Sequence, residues 1–153
     1  MKRFHLAALL LLPVLCLEPA LAQEETGEQA PMMSFAAAIA PEQAFEVCFL
    51  GDAVSAAECA LEKCRKSSGG SDECIITSAC GRGWSGSMGV TTGEVHWTET
   101  VCGAPNEAAV VAALTAFCKG QAKYAQECFL ASVWDERGKE KKLEKALNPK
   151  KLK

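Results

Sequence analysis

The chain has 153 residues, nine of them cysteine, and a formal charge of −3 at pH 7. A charge this close to neutral excludes the strongly basic footprint of a general nucleic-acid binder. The length suits one modest domain and no more.

Residues 1–22 read as a secretory signal peptide. Lys2 and Arg3 form a positive start, Leu6 to Leu17 an apolar run, and Ala20 and Ala22 the small residues before a cut after Ala22. Twelve apolar residues are too few to span a bilayer as a helix. Leu15 stands where a lipoprotein signal centred on Cys16 would need a small residue. No later stretch is apolar enough for a span, so a soluble periplasmic or secreted protein is expected.

Export decides how the cysteines are read. Eight remain after Cys16 is removed, an even number in an oxidising compartment, which points to disulfides. There is no C-x-x-C, and His96 is the only histidine left after processing. Zinc-finger, thioredoxin and c-type haem spacings are therefore absent, and no metal or cofactor is expected.

Residues 23–33 form an acidic linker. The domain then runs over 34–134, beginning with the strand-like "SFAAAIA". "AFEVCFL" alternates Phe45, Val47 and Phe49 on one face, with Cys48 on the other. Gly51 and Asp52 break that strand, and Asp52 is a good helix N-cap. From Ala53 to about Arg65 the pattern is helical, with Val54, Ala57, Leu61 and Cys64 as the apolar stripe. "SSGGSD" is a turn, and "CIITSAC" a returning strand.

A second round follows the glycine-rich "GRGWSG". "SMGVTTG" and "GEVHWTETVC" are strand-like, Pro105–Asn106 opens a helix, and Val110, Leu114, Phe117 and Cys118 form its stripe. "CFLASVW" closes the copy. Cys48, Cys64 and Cys74 recur 54 positions later as Cys102, Cys118 and Cys128. Three cysteines at one offset mark an internal duplication, about 34–80 and 81–134. The fold class expected is α+β: a duplicated hairpin–helix–strand unit, a mainly antiparallel sheet with two helices on one face, stabilised by disulfides. Residues 135–153 read as a basic, solvated tail, since Lys139 to Lys153 has seven Lys against two Glu.

Cys64 ends a helix and Cys74 opens the next strand, as do Cys118 and Cys128. Those two pairs are expected to bond. For the other four, symmetry suggests Cys48–Cys102 and Cys59–Cys80. Helical geometry stands against that, because Cys59 lies about 140° around the helix from Cys64. All three pairings of these four remain open.

"AAECALEKC", "DECIITSAC", "AAVVAALTAFC" and "QECFLASVW" resemble the small exported bacterial proteins catalogued as domain of unknown function 4189. The resemblance covers roughly Ser34 to Trp134. Cys48 and Cys102 are additional to that pattern, and its Trp-Gly pairs are reduced here to Trp84 followed by Ser85. The resemblance implies an envelope or secreted location. It implies no activity and supplies no catalytic residue.

The residues that could carry chemistry each have a plainer role. "GRGWSG" matches a dinucleotide fingerprint, but its glycines lead into a strand and not a helix. "GWSGS" is not a nucleophile elbow, and His96 fits an exposed strand position. Glu73, Glu94, Glu99 and Glu127 are candidate carboxylates for a glycan hydrolase. Glu73 and Glu127 are equivalent in the two copies, which suits a shared structural job. Trp134 and Trp97 fit packing roles. Trp84, with Arg82 beside it, is the candidate recognition anchor on the glycine-rich link. The function expected is a non-enzymatic module binding a protein or envelope component, as inhibitor, adaptor or host-facing factor. The alternative is an enzyme acting on envelope glycan or peptidoglycan. The lysine tail offers a contact for anionic polymer. If helical, it would set Leu143 and Leu147 on one edge, and Pro149 would stop it.

Overall fold

The computed structural model describes residues 31–152. The expected signal peptide, its expected cleavage site and residues 23–30 of the expected acidic linker lie outside the described residues.

Strands β1 (Ser34–Ala40) and β2 (Ala44–Leu50) form a hairpin, helix α1 (Ala53–Ser67) follows, and β3 (Ile75–Cys80) returns beside β1. The second copy repeats this with β4 (Trp84–Thr91), β5 (His96–Ala104), α2 (Glu107–Gly120) and β6 (Glu127–Trp134). Strand β7 (Glu140–Leu147) then adds beside β6, and a 3-10 turn, Pro149–Lys151, ends the fold. All pairings are antiparallel. The α+β class and the duplicated unit are as expected. In place of one sheet there are two, ordered β2-β1-β3 and β5-β4-β6-β7, each carrying one helix on one face.

Alternation along the strands decides how these layers stack. In β1, Ala36, Ala38 and Ala40 meet α1, whereas Phe35 and Ala37 meet Trp134 of β6. In β4, Met88 and Val90 meet α2, while Ser87 faces β2. The order is therefore α1, first sheet, second sheet, α2. Between the sheets, the Phe35 ring stands 5.3 Å from that of Phe49 and 5.9 Å from that of Trp134. Such pairs add about 0.5–1.5 kcal/mol beyond burial.

Both helices start on the expected caps. Asp52 accepts from the Ser55 amide at 2.9 Å, and Asn106 from the Ala109 amide at 2.9 Å. The buried stripes are equivalent: Ala56, Ala60 and Cys64 in α1, and Val110, Leu114 and Cys118 in α2. Val54 does not belong to the stripe and is 69% exposed. Disulfides from Cys59 to β2 and from Cys64 to Cys74 fix the rotation of α1. Ala56 and Ala60 lie on the arc between those anchors and pack on the β1 alanines.

Cys64–Cys74 and Cys118–Cys128 are bonded as expected. The symmetric suggestion for the rest is overturned: the bonds are Cys48–Cys59 and Cys80–Cys102. The reason is a β-bulge. Trp84 pairs with Ala104 and Gly86 with Val101, so β5 inserts one residue that β2 lacks. Gly103, at φ 75°, supplies the left-handed conformation there. The insertion reverses which side each upstream residue of β5 faces. Cys48 turns toward its own helix, whereas Cys102, its sequence equivalent, turns between the sheets and meets Cys80 of β3.

The solvated tail is also corrected. Residues 140–147 are a strand paired along β6, and Leu147 (8% exposed) and Leu143 pack on the α2 side of the second sheet. Pro149, which would have stopped a helical tail, is itself buried in the 3-10 turn. Lysines suit this position, since they discourage pairing with another chain at a sheet edge.

Candidate functional site

Trp84 is the first residue of β4. It is half-buried and packs against the α2-side core, so it does not stand on an exposed loop. Its free edge lines a small cleft with Asp135, Lys139, Glu140 and Lys141. Arg82 is exposed in the short link 81–83. The two residues are close in sequence, but the packing of Trp84 leaves Arg82 the more accessible of the pair.

Two of the three glycines of "GRGWSG" serve packing, Gly81 having open space beside it. A Cβ on Gly83 (φ 135°) would lie 2.8 Å from the Gly103 backbone, and one on Gly86 would lie 2.4 Å from the Val110 side chain. His96 is exposed at the start of β5. Trp97 packs on the α2-side core and donates its Nε1–H to Glu99 at 2.8 Å. Glu73 accepts from Gln43 at 3.1 Å, Glu94 is exposed in the β4–β5 hairpin, and Glu127 opens β6. The four candidate carboxylates are thus spread over different elements. Among the described residues, no cluster of His, Cys, Asp or Glu could hold a metal ion. The Ser55 amide and hydroxyl hold the Asp52 carboxyl below the usual carboxylate range, as a helix cap.

The sequence did not single out the space between the sheets. A cleft of about 280 Å³ opens between β2, through Phe45, Glu46 and Val47, and Ser87, Ser132 and Glu140 of the second sheet. Ser132 donates to Glu140 at 2.6 Å. At the hairpin end, a further cleft of about 190 Å³ is lined by Ile39, Phe45, His96 and Thr98. Ile39 pairs with Phe45 on one side and Ile75 on the other, making an apolar row across the first sheet. The matching row of the second sheet runs Thr98, Gly89, Phe129. Ile75 is 57% exposed and Phe129 43%. They occupy equivalent positions, 54 residues apart; Ile75 sits one step along its row from Ile39 of the cleft, and Phe129 two steps from Thr98. The aligned pair "CII" and "CFL" was visible in the sequence, but its exposure was not.

Comparisons of the chain with protein-family models, with curated proteins and with solved structures gave no match. Among the described residues, no helix is long and apolar enough to cross a membrane. Four disulfides in one small domain fit an oxidising, extracytoplasmic setting.

Proposed function

We propose that this chain is an exported, non-enzymatic binding module that engages a protein or envelope partner at the hairpin end of its sandwich. The signal-like residues 1–22 and the resemblance to the exported family of unknown function support its location in the periplasm or beyond. The observation that carries the reading is the exposure of Ile75 and Phe129 at equivalent places on two disulfide-braced sheets. Large apolar side chains on a rigid frame cost little ordering entropy on binding and lose water when covered. Phe45 and Ile39 continue that apolar surface into the cleft. A partner side chain seated there would meet hydrocarbon on one wall and Thr98 and His96 on the other.

The test is affinity capture with the oxidised protein from envelope extract and culture medium, against an Ile75→Ser/Phe129→Ser variant. The expected result is a partner held by the wild type and by Trp84→Ala, and lost by the double variant. A partner held equally by the double variant would refute the reading. So would release of soluble fragments from peptidoglycan by the purified chain.

A further inference from the structure

We propose that β7 and the 3-10 turn after it form a docking edge for a linear anionic polysaccharide. The surface is distinct from the hairpin-end rim, so either assignment can fail without the other. Charge is sharply divided along the chain. Residues 137–152 carry seven Lys or Arg against two Glu, whereas residues 31–136 carry six against thirteen Asp or Glu. β7 ends the order of the second sheet and carries three Lys against two Glu, and Arg137 and Lys139 before it and Lys150 and Lys151 after it extend the basic excess past both its ends. Lys141 is held by Glu107 at 2.7 Å. Lys139, Lys142, Lys145, Lys150 and Lys151 are exposed and form no ion pair among the described residues. Glu140 accepts a hydrogen bond from Ser132 and forms no ion pair among the described residues.

The shape selects the class of anion. Eight strand residues at about 3.3 Å each make a line of roughly 26 Å, which suits an extended chain of charges. Leu143 and Leu147 turn toward α2, so the strand offers no large apolar side chain for insertion into a lipid layer. β7 contains no aromatic residue on which a base could stack, as single-stranded nucleic acid binding requires. Lysine repulsion opposes strand addition at this edge but favours a polyanion.

The probe is polygalacturonate, with binding to the oxidised full mature chain measured by calorimetry at two salt concentrations. Five lysine contacts with counterion release like that of a single strand predict about a hundredfold loss of affinity from about 50 to about 200 mM salt. The variant Lys142→Gln/Lys145→Gln/Lys150→Gln should lose at least about tenfold at the lower salt. The three Lys→Arg changes at the same positions should retain binding, and Lys63→Gln/Lys66→Gln on α1 should leave it within about twofold. Near-UV circular dichroism checks that each variant is folded. Unchanged binding by the triple Gln variant, or equal loss from the α1 variant, would overturn the proposal. So would tighter retention on phosphatidylglycerol vesicles or single-stranded DNA than on the polysaccharide.

Discussion

Adding one methyl group at Gly86 tests the seat of α2 directly. An alanine Cβ there would lie 2.4 Å from Val110 Cγ1, 3.1 Å from the Ser132 carbonyl oxygen and 3.2 Å from Val133 Cγ1. Favourable carbon contacts begin at about 3.5 Å, so the overlap with Val110 exceeds roughly 1 Å. Val110 is fully buried and β-branched, and cannot swing aside cheaply. Gly86→Ala should therefore destabilise by about 2–3 kcal/mol, the upper part of the range for overpacking. At a compatible strand position the same change would stabilise by about 0.4–1 kcal/mol, through loss of unfolded-chain entropy, so the sign is informative. Val110→Ala alone removes two methyl groups and should cost about 1.5–3 kcal/mol. In the double variant the new methyl occupies space that valine vacated. The combined loss should fall about 2 kcal/mol short of the sum. Urea unfolding of the four oxidised proteins gives the cycle. Additive losses, or a Gly86→Ala protein as stable as wild type, would show that α2 does not rest on β4 at this point.

Removing the Cys80–Cys102 bond with paired alanines should cost about 3 kcal/mol by loop entropy. It closes a longer loop, 22 residues against 10 for Cys118–Cys128; a midpoint in denaturant matching the wild type would count against this. Asn106→Ala should lower stability by about 1 kcal/mol through loss of the cap on α2, with Asn106→Asp nearly neutral, as read by thermal melting. Asp52 titrates below its unfolded value, so its contribution is complete above the usual carboxylate range. That contribution drains as pH falls through the lowered folded value. The stability difference between wild type and Asp52→Asn should accordingly be constant near neutral pH and change only in acid, and a constant difference throughout an acid titration would contradict it.

The repeat, the helix caps and two of the four disulfides were legible because each depends on residues close in sequence. An Asp or Asn cap needs only the next helical turn. A cysteine at a helix end meets one at the start of the following strand across a short loop. Trp134 was legible as core for a related reason: it stands where Cys80 stands in the first copy, and both face inward. The placement of Trp84 on an exposed loop failed because nothing local reveals that β4 begins at Trp84, with α2 above it. The lysine-rich end looked like a tail because its polarity resembles that of a solvated segment. An edge strand exposed along one side can carry the same composition once leucines at a few places anchor it.

What the sequence determined by itself is a twice-repeated, cysteine-stapled α+β unit, since periodicity and loop length act over a dozen residues. The tertiary structure alone decided how the two copies face each other. One extra residue at Cys102–Gly103 reverses the side on which upstream β5 residues lie, and the cysteine spacing gives no sign of it. Strand side chains alternate with a period of two, so a single insertion sends one cysteine to its helix and its counterpart to the opposite sheet.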